Sequence, residues 1–427
     1  MSAGDQLPRI VHPPPGPRSR AMALDLERFE APGVNTVAGD AGAEPPILWD
    51  TARGANVHDV DGNRYVDLTS GFGVAAVGHR HPRVVAAVRR QAGRLLHGLG
   101  DVHAHPLRVE LAARLVGLAP VDDPQVFFAA SGAEAVEIAL ETALAATGRP
   151  GIVAFEPSYH GLTLGALAVT SRPAFRAPFA PYLHPHVRRI AFGCPLDAAA
   201  SALAMGGPAG AVLVEPIVGR EGVLPPPPGW LAGIARLCRE AGAVLIADEI
   251  FTGFGRTGHL FAVEAEGVRP DVLCCGKALG GGLPIAAVLA RRSLFQAWRT
   301  PGEALRTSTF LANPVACAAA LAVLGVLEQD GLAARAARLG AEVAARLAGW
   351  SDRLPAVAAV RGRGLLWGVE LRSRQAAGAW VTAARRRGVL ILAGGPEGRV
   401  AQLVPPLTIA EPQLAGALDL LEEALAG

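Results

Sequence analysis

The chain has 427 residues, 51% of them hydrophobic and 18% charged, and a formal net charge of +2 at pH 7. One hydrophobic core rarely extends over that length, so two domains are expected. The near-neutral balance, with its arginines scattered, leaves no basic face for nucleic acid, and no apolar run approaches the roughly 18 residues that span a bilayer.

The N-terminus, MSAGDQLPRIVHPPPGPRSR, lacks the apolar stretch of a signal peptide. It reads as a Pro-rich, loosely held lead-in whose proline content argues against an amphipathic helix. PQVFFAASG then reads as a strand ending in a glycine turn, followed by the Ala-rich helix AEAVEIALETALAAT. The runs GIVAFEP, AGAVLVEP, AGAVLIADE and RPDVLCCGK each place a buried strand before a polar residue or turn. Helices such as GWLAGIARLCREAG lie between them, the pattern of a mostly parallel α/β sheet. Near Asn313 a long Ala/Leu helix begins. Beyond about residue 330, RGRGLLWGVEL and RRGVLILAG read as strands around a helix, and PQLAGALDLLEEALAG closes the chain as another. That is a smaller α+β unit.

Cys194, Cys238, Cys274, Cys275 and Cys317 form no CxxC pair and no even framework, which fits a reducing cytoplasm better than disulfides. The adjacent Cys274 and Cys275 read as small apolar strand residues. HRH (79–81) and HAH (103–105) gather no third ligand type, so no metal is expected.

Lysine is normally among the commonest residues, yet this chain has one, Lys277, beside 39 arginines. Heavy use of Arg, Ala, Gly and Pro points to a coding background in which arginine replaces lysine wherever only charge is wanted. Arginine cannot act where a free amine must lose its proton and attack a carbonyl, because its pKa lies above about 12. Lys277 follows the run PDVLCCG, and Asp248 ends the run VLIAD. Ligand groups in such sheets sit at the carboxyl ends of strands, where Glu215 also falls. Asp248 and Lys277 at strand ends are either an ion pair or the two anchors of a pyridoxal phosphate ring, lysine on the aldehyde and Asp against the ring nitrogen. Burial would lower the lysine's pKa toward a usable nucleophile. In SGAEA, between strand and helix, the amides of Gly132 and Ala133 make an anion site, and Ser131 adds a hydroxyl that can also serve as N-cap. Tyr159 in SYHGLT is a candidate ring-stacking residue.

SGAEA, YHG, EPI, LIADEIFTGFGRTG, GKALGGG, TSTF and NP, in this order, resemble the class III (ω-) aminotransferases of the ornithine, acetylornithine and 4-aminobutyrate type. The likeness runs from DVDGNRYVDLTSG to PPLTI. It implies the type I pyridoxal phosphate-dependent fold, a large domain with a mostly parallel central sheet plus a smaller α+β domain. The domains expected are an N-terminal segment (1–75) joining the small domain, a large cofactor-binding domain (76–325) and a C-terminal small domain (326–427). It further implies a homodimer with active sites at the subunit interface. By that resemblance Lys277 is the Schiff-base lysine and Asp248 the partner of the ring nitrogen. Ser131, Gly132 and Ala133 form the phosphate cup, Tyr159 and Ile250 cover the two ring faces, and Thr309 reaches the neighbouring subunit's phosphate.

The departures concern substrate. The arginine that many ornithine-type members carry before the final PPL is Gln402 here. The arginine that 4-aminobutyrate-type members carry after the aromatic-His-Gly motif is Leu162. EPxQGEGG becomes EPIVGREG, with Arg220 at the gating glutamate, and the glutamine after DE(I/V) is Phe251. Phe72 stands at a pocket-lining position. Losing two arginines removes bidentate carboxylate partners, so Arg306, Arg220 and Arg399 become candidates for that task. The expected reaction is transamination between a primary amine or ω-amino compound and a keto acid, pyruvate or 2-oxoglutarate. It would run as a ping-pong cycle of pyridoxal and pyridoxamine phosphate with Lys277 as proton shuttle. A racemase or epimerase of the same fold is the alternative.

Overall fold

Runs of Val, Leu, Ile and Ala flanked by turn residues form the central sheet. The computed structural model describes residues 4–34 and 44–426. Among these, seven strands pair in the spatial order Pro124–Ala129, Ala286–Arg291, Val272–Cys275, Val244–Asp248, Ala209–Val214, Gly151–Glu156 and Val187–Ala191. Only Ala286–Arg291 runs against its neighbours; the others point the same way. The strand Ala209–Val214 is buried along its whole length, as expected where helices cover both faces of a parallel sheet. Helix Gly132–Thr147 packs on the sheet through Ala135, Val136, Ile138 and Ala139. Helix Trp230–Ala241 buries Trp230, Leu231, Ile234 and Cys238 in the larger core cluster. Because all but one of the strands are parallel, their carboxyl ends form one edge, and that edge carries the site.

The remaining strands form two smaller sheets. Val357–Arg363, Leu366–Leu371, Val400–Leu403 and Leu392–Gly394 make an antiparallel one, against which helix Arg374–Arg386 packs. The other joins Trp49–Arg53, Asn56–Asp59 and Arg64–Asp67 to Val389–Leu390, which pairs in parallel with Arg64–Asp67. Helix Pro314–Gln329 starts at Asn313, whose side-chain oxygen accepts from the amides of Val315 and Ala316 at 2.9 and 3.2 Å.

The expectation of a loosely held lead-in is overturned for the described part of the N-terminus. Arg9 exchanges backbone hydrogen bonds with Arg64, and the amides of Val11 and His12 both donate to Asn63 Oδ1. Pro17–Phe29 is a helix. Proline is tolerated at the first helical position, where its missing N–H has no partner to lose. Pro17 therefore starts this helix. Residues 1–3, which open the lead-in, and 35–43 lie outside the described residues.

Candidate active site

Several strand ends contribute polar groups. Asp248 closes Val244–Asp248 and lies opposite Cys274 in the next strand. Two residues beyond that strand stands Lys277, at a φ of 42°. A non-glycine residue held in the left-handed region costs on the order of 1–3 kcal/mol and persists only where its surroundings impose it. On the other side, Glu215 follows Ala209–Val214, and Tyr159 and His160 follow Gly151–Glu156.

Hydrogen bonds knit these ends together. His160 Nδ1 lies 2.7 Å from Asp248 Oδ2, with both side chains buried. Asp248 Oδ1 accepts the Ile250 amide at 3.1 Å. Glu215 accepts the amides of Tyr159 and Gly219, each at 2.9 Å, through its two oxygens. Burial pushes the Glu215 carboxyl up to about 7. Burial also brings Lys277 down to about 8, against the pull of Asp248 and Glu215, and the positive Arg220 adds to the lowering. For His160, burial opposes the charged form, but the hydrogen bond and charge of Asp248 prevail and raise its pKa.

The helix Gly132–Thr147 points its N-terminus at the same edge. Ser131 is its N-cap, its hydroxyl accepting the Glu134 amide at 3.2 Å. The first-turn amides of Gly132 and Ala133 can have no acceptor within the helix, so they remain available to an anion. A Cβ on Gly132 would come within 3.1 Å of Ile250, which fixes Ile250 beside the helix start. Gly161, at φ 130°, packs so closely on Ala133 that a Cβ there would stand 2.6 Å from the alanine's. The loop after Tyr159 and the anion-binding turn are thus one packed unit.

The structure therefore brings together Ser131, Gly132, Ala133, Tyr159, Asp248, Ile250 and Lys277. It also adds His160, which sequence reasoning missed; its only signal was its place between Tyr159 and Gly161 in YHG. His160 Nε2 is buried without a hydrogen-bond partner.

The candidate arginines separate clearly. Arg220 lies over the Tyr159 ring at 4.3 Å from its centroid and over Phe175 at 5.5 Å. No carboxylate pairs with it among the described residues. Arg306 does not join the site as a free guanidinium: it pairs with Glu141 and, at 3.6 Å, with Glu137, both on the helix that begins at Gly132. Two carboxylates one helical turn apart satisfy its charge, which corrects the expectation that it is free for substrate. Arg399 is likewise paired, with Glu370 at 3.0 Å and Glu397 at 3.2 Å. Thr309 is exposed, beside Phe310, whose ring contacts His97. Phe72 is exposed too, at φ 62° in the left-handed stretch Ser70–Gly73.

A buried amine of lowered pKa, a carboxylate one strand away and free helix-start amides are the donor set that a phosphorylated aldehyde requires. Pyridoxal phosphate fits these residues. The comparisons with known proteins agree. The sequence profile of the family Aminotransferase class-III matches residues 38–425.

The chain belongs to the class III aminotransferases.

It is 44% identical over 399 residues to the acetylornithine aminotransferase of Mycobacterium tuberculosis, covering 93% of this chain and 95% of that one. With the acetylornithine aminotransferase of Methanothermobacter thermautotrophicus it shares 41% over 376 residues, 88% of this chain and 93% of the relative. Among solved structures, the ornithine aminotransferase of Toxoplasma gondii superposes with a TM-score of 0.87 at 30% identity, covering 96% and 95% of the two chains. A pyridoxal phosphate-bound amine transaminase from an uncultivated Pseudomonas species gives 0.86 at 28% identity, covering 93% of this chain and 99% of its own. This class III aminotransferase is accordingly a pyridoxal phosphate-dependent transaminase with the α/β fold of its relatives.

Proposed function

We propose that the enzyme moves an amino group from a primary amine or ω-amino compound to a keto acid such as pyruvate or 2-oxoglutarate, and that Arg220 receives the keto acid's carboxylate. The observation that carries this is the state of the arginines: Arg306 and Arg399 are neutralised by carboxylates, as is Arg172 by Glu221 at 2.8 Å. Arg220 instead lies over the Tyr159 ring with no carboxylate paired to it among the described residues, so its fork is available to grip a carboxylate.

When bound, pyridoxal phosphate supplies an aldehyde that takes up the amino group and a ring that absorbs the electrons released at the donor carbon. Ser131, Gly132 and Ala133 would hold its phosphate, Asp248 would serve its ring nitrogen, and Tyr159 and Ile250 would cover the ring. Lys277, buried and brought down to about 8, takes a proton from the donor carbon and returns one on the reverse half-reaction. Phe72 and Leu162 are apolar where a charged donor would need a partner, which favours an amine with an uncharged or distant carboxylate end.

A second copy of the chain completes the enzyme in this reading. Leu95, Leu96, Leu99 and Val102 are exposed, as are Leu305 and Phe310, and Asn313 Nδ2 ties the two segments by donating to the Leu96 carbonyl at 2.9 Å. Such a face is covered by a like surface in a homodimer, with Thr309 carried toward the neighbour's phosphate. The five free cysteines accord with a cytoplasmic setting.

A donor panel headed by acetylornithine, for which relatives are named, followed by diamines and ω-amino acids, tests the amine side. Conversion of the cofactor's visible absorbance to the pyridoxamine form identifies the donor; racemisation of a chiral amine without amine transfer would instead mark a racemase. On the acceptor side, Arg220→Ala should raise the keto-acid KM about 10- to 100-fold, the worth of a charge-assisted hydrogen bond. Unchanged KM for every keto acid would sink the assignment. Sedimentation of the wild-type chain as a monomer would remove the homodimer.

A further inference from the structure

We propose that Phe251 is a positioning residue whose ring face seats the protonated amine of Lys277 whenever that lysine is not bonded to the cofactor. Lys277 Nζ lies 4.1 Å from the centroid of the Phe251 ring, well inside the roughly 6 Å over which an aromatic face attracts an ammonium group. The role rests on the reading of Lys277 as the cofactor lysine; the contact itself does not.

The ring is built into place. A Cβ on Gly219 would come 2.4 Å from Phe251 Cδ1, and one on Gly73 would come 3.1 Å from Cε2, so backbone approaches the ring closely at two points. Phe251 also packs against a buried cluster of Ile217, Val223, Leu366 and Val404, side chains drawn from both the large and the small units. Neither glycine tolerates a side chain without moving the ring, and the ring cannot move without disturbing that cluster.

The chemistry of the seat follows from what else faces the amine. Burial removes its water, Asp248 and Glu215 favour its charge, and Arg220 opposes it; His160 is engaged with Asp248. A carboxylate in place of Phe251 would hold the lysine as an ammonium ion at working pH. The ring's quadrupole replaces part of the lost hydration yet adds no net charge and makes no hydrogen bond that must be broken. It therefore retains the freed amine near the reacting atoms and releases it as soon as it deprotonates.

Because Lys277 is the only lysine, lysine carrying ¹³C at Cε and ¹⁵N at Nζ gives one side-chain signal, and its titration can be read directly in the full-length, cofactor-free chain. Phenylalanines bearing one, two and three ring fluorines, inserted at position 251, keep the ring's shape while draining its face. The Lys277 pKa should fall stepwise, by about 0.4–1.5 units in total, the value of a cation–π contact. Phe251→Leu should lower it similarly and abolish the upfield ring-current shift of the Lys277 Hε protons. A pKa that fluorination leaves unmoved, or that rises in Phe251→Leu, would mean that the ring only excludes water and would overturn the proposal. Borohydride reduction of the holoenzyme reports separately whether Lys277 bonds the cofactor. Its failure would remove the lysine's assigned role without touching the measured ring contact.

Discussion

The imidazole of His160 and the carboxylate of Asp248 meet at 2.7 Å from two strand ends that are not neighbours in the sheet, with the strand Ala209–Val214 between them. A buried carboxylate without a partner is costly, whereas one that meets a charged hydrogen-bond donor is held in place. His160 therefore holds the Asp248 side chain in place and aimed. His160→Leu should cost about 1–3 kcal/mol of stability, the price of leaving a buried polar group unsatisfied, and should weaken cofactor binding. His160→Asn retains a donor and should recover most of both. Urea unfolding of the cofactor-free chain and a cofactor titration provide the measurements; equal stability of the Leu and Asn variants would show that the contact carries no weight.

The second prediction concerns the identity of the amine. Lys277→Arg keeps the positive charge but puts in its place a group with a pKa above about 12 that does not become neutral. Loss of proton transfer alone should lower turnover by about 10²–10⁴-fold or more. Borohydride reduction of wild type should leave one cofactor adduct per chain, seen as a mass increase, and none in the variant. With a single lysine present, no peptide mapping is needed, and an adduct on Lys277→Arg would contradict the assignment.

A pH dependence follows from the same residue. Burial brings Lys277 down from 10.5 to about 8 in the folded chain. Capture of added pyridoxal phosphate by the cofactor-free protein should accelerate about tenfold per pH unit below 8 and level off above it, whereas an ordinary lysine would continue to about 10.4. The linkage has a definite sign. Between about 8 and 10.5 the unfolded chain holds a proton on this lysine that the folded chain has lost, so the lysine's contribution to stability rises with pH across that window. Stopped-flow capture rates and denaturant midpoints at several pH values test both statements, and a rate still climbing at pH 9.5 would contradict the first.

Much of this site was legible in the chain because its parts are local. Ser131 and the helix it caps, Asp248 at the end of VLIAD and Lys277 after VLCCG are each defined by a few consecutive residues, and parallel strands bring such ends to one edge. What was not legible depends on strand order and on long-range pairing. The contact of His160 with Asp248 spans 88 positions and requires the sheet order to be known. Arg306 looked available because Glu137 and Glu141, which neutralise it, lie 169 and 165 residues earlier. The prolines of the N-terminus suggested looseness, but Asn63 and Arg64, which hold that segment, sit on a turn and strand far along the chain. Gln402 stood out only as a missing arginine, and its actual partners are backbone atoms that no motif records.

Those partners give the last prediction. Gln402 Nε2 donates to the carbonyls of Gly219 at 3.1 Å and Arg220 at 2.9 Å, reaching across from the strand Val400–Leu403 of the small sheet. Arg361 acts alongside it, its Nε donating to the carbonyls of Gly222 and Val223 at 2.9 and 3.1 Å. The backbone that carries Arg220 is thus pinned by side chains from the C-terminal unit, so the orientation of the guanidinium over Tyr159 depends on them. Gln402→Leu removes two neutral hydrogen bonds worth about 0.5–1.5 kcal/mol each. If part of that loss falls on Arg220's placement, the keto-acid KM should rise about 3- to 30-fold, while the single-turnover rate of the amine half-reaction stays within about twofold. Gln402→Glu should be worse than Leu, because it sets a carboxylate against two carbonyl oxygens and beside the guanidinium proposed to receive the keto acid. Steady-state kinetics with varied keto acid, run beside the half-reaction, separate the outcomes: an equal fall in both halves would show a general defect of the small unit and no specific hold on Arg220.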